Sequence, residues 1–158
     1  MNTSEWIVTL AVVGTLTFVL LNGDDTARAM PPVPVGISVP PGAIIWHDGD
    51  SGRIGDQRFR LEGVDAPETG GVGSVGGAEC EAERAMGESA RAGMQAITDR
   101  HGVQVFSLYE DRYGRTVVKL WADGQRLAVT GIERGWLGVW PHDETGRALG
   151  PKPEWCGQ

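Results

Sequence analysis

A mainly β domain with helices (α+β) is what this sequence predicts, and three observations carry the prediction. Several short apolar stretches alternate or are rich in β-branched residues, tight glycine-bearing corners join them, and a single longer stretch has helical periodicity instead. Ala43–His47 (AIIWH) reads as a short apolar strand, followed by the turn-rich acidic cluster Asp48-Gly49-Asp50-Ser51-Gly52. Ile54–Gln57 makes a hairpin corner, after which Gln57–Val64 (QRFRLEGV) alternates. Phe59 and Leu61 point one way there, and Arg58, Arg60 and Glu62 the other. Glu79–Arg100 reads as a long helix, with Ala82, Met86, Ala90, Met94 and Ile97 along its inward line. Gly102–Tyr109 and Arg115–Ala122 are β-rich and are joined by the hairpin loop Glu110–Gly114. Arg126–Trp136 forms a second, shorter helix, with Leu127, Ile132 and Trp136 inward. The Pro/Gly-rich tail, Pro141–Gln158, is expected to lie over the domain, pinned by Cys156. Three strands, a helix, two strands and a helix predict a small, partly open, five-stranded Greek-key barrel of the OB type. No internal repeat interrupts that order.

The chain has 158 residues, room for one domain of ordinary size. Hydrophobic residues at 41% and charged residues at 22% exclude a disordered acidic tail. The net charge of −7 argues against a protein that coats nucleic acid through a broad basic face. It leaves room for a site that grips one phosphate through a cation. Binding of a polyanion should then be weak and local, with a shallow salt dependence.

The two ends differ from the middle. Trp6–Leu21 is an unbroken uncharged run, slightly long for a signal-peptide core and slightly short for a membrane span. Ala27-Arg28-Ala29 offers a cleavage site. The expectation is export, periplasmic or secreted, with residues 1–29 as a signal peptide or as a membrane anchor through residues 6–21. The alternative is a buried N-terminal helix. Residues 30–42 hold five of the nine prolines and read as a semi-rigid linker, which places the domain at residues 43–158. Removing Met1–Ala29 takes out Glu5, Asp24, Asp25 and Arg28 and leaves a net charge of −5. Cys80 and Cys156 are the only cysteines, with no C-x-x-C spacing and scattered histidines, so a zinc site is disfavoured. In an exported chain they read as one disulfide, which would stabilise by about 4 kcal/mol. The alternative is two independent buried thiols.

Chemistry concentrates in two kinds of residue. If the strand at Gln57–Val64 folds back on the preceding hairpin arm, Asp50 and Asp65 meet at one end of the barrel. Two carboxylates, a main-chain carbonyl and waters suit a hard cation such as Ca²⁺. Pro67 stiffens the loop holding Glu68. Arg60 and Arg115 are the complement, since guanidinium groups neutralise charge that builds on phosphoryl oxygens. The bland reading pairs these arginines with Glu62 or Asp111 on the surface.

The segments HDGDS (47–51), RLEGVDAPET (60–69), CEAERAMGESA (80–90), DRYGR (111–115) and LWADGQRLAVTGIERGW (120–136) resemble, in order and spacing, the staphylococcal-nuclease (thermonuclease) family. The likeness covers roughly residues 43 to 140. It implies the OB barrel and Ca²⁺-dependent hydrolysis of DNA or RNA phosphodiesters that leaves 3′-phosphates. It implies Asp50, Asp65 and the main-chain carbonyl of Ala66 as metal ligands. Glu68 becomes the general base, and Arg60 and Arg115 the phosphate-binding, catalytic arginines. Ala66 and Ser51 stand where Thr is common in the family. Arg60→Ala and Glu68→Ala are expected to fold normally and lose activity.

Tyr113, in the turn beside Arg115, is a candidate substrate contact. Trp46 and Trp136 are expected in the core, and His47 is expected at a strand end. Gly71–Gly76 matches G-x-G-x-x-G, but it neither follows a strand directly nor sits in a βαβ unit, so no dinucleotide site is expected. It reads as a loop beside Glu68. The partners expected are a single-stranded DNA or RNA substrate and a membrane for the N-terminal segment, with the protein itself a monomer. Two alternatives to a nuclease are a non-catalytic OB module that binds nucleic acid and an envelope-tethered interaction domain.

Overall fold

In the computed structural model, residues 36–143 and 145–157 are described. The expected signal peptide or anchor, and residues 30–35 of the linker, lie outside them. The first element is strand β1 (Ile37–Val39), inside the stretch read as a linker. The barrel strands β2 (Ile44–Trp46), β3 (Ser51–Ile54) and β4 (Gln57–Leu61) follow, then a short β5 (Val64–Asp65). Helix α1 (Glu81–Thr98) leads to the long hairpin β6 (Val103–Glu110) and β7 (Thr116–Ala122). Then come β8 (Gln125–Arg126), α2 (Leu127–Glu133) and β9 (Gly138–Val139).

The main sheet runs β1-β6-β7-β4-β3-β2, with β8 on β7, and β5 pairs separately with β9. Neighbours are antiparallel except β4 and β7, which run parallel, with Arg60 opposite Val117. The five central strands and two helices make an α+β half-barrel of the OB type, as the order of elements predicts. Pairing of Ile37–Val39 with Val103–Val105 carries the folded unit N-terminal of Ala43, where the sequence reading starts it.

The core forms as the alternation requires. Phe59 and Leu61 of β4 are buried with Ile44, Val103, Val118, Leu120, Leu127 and Met94. Trp46 meets Phe59 edge-on and donates from Nε1 to Thr98 Oγ1 at 3.1 Å, so it belongs to the core. The strand read over 57–64 ends at Leu61, because Gly63 turns the chain through φ +74° before β5.

The helices correct the sequence reading in two places. The first half of α1 buries Glu83 and Gly87 rather than Ala82 and Met86. A Cβ at Gly87 would lie 2.6 Å from the carbonyl oxygens of both Pro67 and Glu68. The helix therefore faces a loop backbone there, which wants a glycine and a hydrogen-bond acceptor rather than apolar side chains. In α2, Gly131 takes the inward place against Leu137, and Ile132 is 37% exposed.

Gly87→Ala is expected to destabilise the fold. Alanine gains about 1 kcal/mol of helix propensity. Overpacking against two backbone oxygens that cannot rotate away costs about 1–3 kcal/mol, towards the upper end here. A lower urea midpoint with unchanged helix content is the expected result; an unchanged or raised midpoint would show that the 67–68 loop yields freely.

Candidate active site

The site begins with a turn. Asp48 Oδ1 accepts from the backbone N–H groups of Asp50 at 2.9 Å and Ser51 at 2.6 Å, and Ser51 Oγ donates to Asp48 Oδ2 at 2.7 Å. Such an Asx turn fixes the corner from within. Gly49 lets it press inward, since a Cβ there would meet the Ala90 Cβ at 2.8 Å and the Ala66 Cβ at 3.0 Å. Asp50 is thereby driven into the protein, 3% exposed, beside Asp65, also 3% exposed.

Arg60 joins the two. Its Nη2 donates to Val64 O at 3.1 Å and Asp65 Oδ1 at 3.3 Å, and lies 2.9 Å from Asp50 Oδ2. The last contact is an ion pair without hydrogen-bond alignment, so Asp50 Oδ2 stays buried with no hydrogen-bond donor. Burial pushes the Asp50 carboxyl well above the usual carboxylate range, against the opposing pull of Arg60. Burial also works against the Arg60 charge, but Asp50 and Asp65 outweigh it and raise that guanidinium further.

Glu68 sits on the rim. Its backbone N–H donates to Glu83 Oε1 at 3.3 Å, while Glu83 Oε2 accepts from Glu79 N at 2.6 Å. The buried Glu83 thus ties the Asp65–Glu68 loop to the first turn of α1. Burial raises the Glu68 carboxyl above its ordinary value, and Lys152 pulls it back only in part.

Arg115 is aimed by its own hairpin. Asp111 accepts from the backbone N–H groups of Tyr113 at 2.9 Å and Arg115 at 3.0 Å, and from Arg115 Nε at 2.8 Å. Those bonds outweigh its partial burial and hold the Asp111 carboxyl below the usual range. The Tyr113 ring meets both Arg112 and Arg115, whose guanidinium carbons are 4.8 and 5.3 Å from its centroid. The pairing of Arg115 with Asp111 expected from the bland reading is therefore present. That of Arg60 with Glu62 is not, because Glu62 pairs with Arg126 and Lys119.

One cleft of about 290 Å³ gathers Arg60, Asp65, Glu68, Tyr113 and Arg115. Asp50 lies behind Arg60, and the buried Ala66 follows Asp65. Trp46, Trp136, His47 and the Gly71–Gly76 loop do not line the cleft. That loop closes on itself instead, through Ser74 N to Gly71 O and Gly73 N to Ala78 O.

Several residues here escaped the sequence reading. Trp140 is brought in by the β5–β9 pairing and by its N–H to Gly63 O at 2.9 Å, and the Arg60 guanidinium lies 5.6 Å from its ring centroid. Trp155 donates from Nε1 to Asp65 Oδ2 at 3.2 Å. Lys152 lies 3.5 Å from Glu68 Oε1 and 3.7 Å from Asp65 Oδ2. Burial opposes the Lys152 charge, but Asp65 and Glu68 more than restore it. The only signal for Lys152 and Trp155 was the second cysteine, and Cys80–Cys156 is a disulfide as expected.

The donor set fits a hard cation. Among the described residues no group of three or more His, Cys, Asp or Glu is placed to hold a metal ion. Two buried carboxylates do meet, and one carries an oxygen lacking a hydrogen-bond donor, which an oxygen-seeking cation would satisfy.

Fold and cleft together define an OB-type domain that presents carboxylates and arginines to one opening. The chain belongs to the staphylococcal nuclease homologue family, whose model matches residues 58–147, more than half of its length. Arg60, Asp65, Glu68, Tyr113 and Arg115 fall inside that match, and Asp50 falls before it. No curated protein matches the chain.

Proposed function

We propose that this nuclease-family domain is a live, Ca²⁺-dependent hydrolase of single-stranded DNA or RNA that leaves 3′-phosphates. The observation that carries this reading is that Arg60, Glu68 and Arg115 share one cleft with Asp65, above an Asp50 oxygen that lacks a donor. Glu68 accepts a proton from the water that attacks phosphorus. Arg60 and Arg115 donate to the non-bridging oxygens as charge grows there, held in place beforehand by Asp65 and Asp111. The P–O bond to the 5′ oxygen breaks, its electron pair stays on that oxygen, and the oxygen takes a proton from solvent. Asp50, Asp65 and the Ala66 carbonyl would hold Ca²⁺, which when bound neutralises substrate charge and lowers the pKa of a bound water. Tyr113 borders the substrate beside Arg115.

Export agrees with the Cys80–Cys156 disulfide, a bond suited to oxidising compartments. Among the described residues no helix is long and apolar enough to cross a membrane. We take residues 1–29 as the signal peptide or anchor and the protein as a monomer.

The test is degradation of single-stranded DNA by the full chain in calcium and in EDTA, with the product ends identified. Metal-dependent cleavage to 3′-phosphates is expected. Binding without cleavage in either condition would replace this reading with a non-catalytic OB module.

A further inference from the structure

The tail crosses the carboxylate side of the cleft as a strap. Cys156 is bonded to Cys80, which caps α1, across 76 positions of sequence. Pro153 and Trp155 lie over Gly138 of β9, where a Cβ would come within 2.6 Å of Pro153 Cγ and 3.3 Å of the Trp155 ring. Trp155 is further pinned by its bond to Asp65. Lys152, four residues before the disulfide, therefore has a defined place in the cleft rather than a free surface position.

Its neighbours leave it chemistry to spare. An ammonium has three donors. The contacts to Glu68 and Asp65 engage two directions, and the side chain is 43% exposed. Arg60 and Arg115, held by their aspartates, serve the phosphate that reacts. A phosphate approaching the Glu68 side meets two carboxylates there, and Lys152 is the cation in contact with both. We infer that Lys152 is a further substrate-binding residue, contacting a backbone phosphate of single-stranded nucleic acid next to the one that reacts. This rests on the nuclease reading.

The test is equilibrium binding of a fluorescent single-stranded DNA 12-mer to the full chain in EDTA, from 50 to 200 mM salt. Lys152→Gln is expected to weaken binding about threefold to fivefold at the lower salt. It should also make the plot of log affinity against log salt shallower by about 0.7, the value of one phosphate contact on a single strand. Lys152→Arg, which keeps the charge, should restore the wild-type slope. Unchanged affinity and slope in Lys152→Gln would overturn the inference, as would tighter binding, which would make the strap a cap on the carboxylates. Either result leaves the nuclease reading standing. A wild-type protein that binds no oligonucleotide in EDTA would also overturn the inference; the nuclease reading, with its calcium-dependent grip on the substrate, would still be tested separately by cleavage in calcium.

Discussion

Glu68→Gln should cut the turnover of single-stranded DNA by about 10²–10⁴-fold, the range for loss of a positioned general base. Its fold should survive. The Glu68 side chain is 36% exposed and its carboxylate touches Lys152, so an amide of the same shape disturbs no packing. The stability effect has a definite sign. Burial raises the Glu68 pKa above its ordinary 4.5, so its protonated form is favoured by folding. That contribution is fully present below about pH 4.5 and is lost as pH rises through the folded value. At neutral pH the glutamine variant should therefore be as stable as wild type or slightly more so. With Glu68 as the base, the acid limb of the wild-type rate profile should vanish in the variant. Cleavage rates against pH, with a thermal midpoint for each protein, check all of this. A wild-type rate in Glu68→Gln would remove it as the base.

Arg60→Ala is the second large effect, and here the structure changes the expectation that the variant folds normally. Loss of a transition-state donor predicts a rate about 10² lower or worse. Arg60 also stands between two carboxylates that are each 3% exposed. Truncating one member of a buried ionic group costs about 3–5 kcal/mol, because the remaining charges are stranded. Asp50 is already biased toward its neutral form by burial, and protonation relieves part of that cost. The lower end, about 3 kcal/mol, is the expected loss. Arg60→Lys should recover part of the stability but little of the rate, since an ammonium cannot reproduce the planar fork. Urea unfolding beside cleavage assays separates the two effects. Full stability in Arg60→Ala would show that the aspartates relax without their partner; an unchanged rate would take Arg60 out of phosphate binding.

Much of the fold was legible because it follows from local rules. Alternation around Phe59 and Leu61 marked β4, and the Asp111–Gly114 turn marked the hairpin that aims Arg115. The α1 span was legible, but its inward face was not. Periodicity looks for apolar partners, whereas Glu83 and Gly87 face the polar backbone of the Asp65–Glu68 loop. Ile132 was misplaced for a related reason: the close approach of Leu137 selects the small Gly131. Strand β1 hid among prolines because its pairing partner is β6, far along the chain.

The candidate site divides in the same way. The sequence by itself determined the residue types in each corner, the barrel order, the family resemblance and, with only two cysteines, the sole possible intramolecular disulfide. Only the tertiary structure decided that Asp50 and Asp65 close on Arg60, that Glu83 holds the Glu68 loop, and that Lys152 reaches Glu68 across 84 positions. Turns and alternation are written within a few residues of chain. Contacts between distant segments depend on how strands, helix and strap pack together, and no short stretch of sequence carries that geometry.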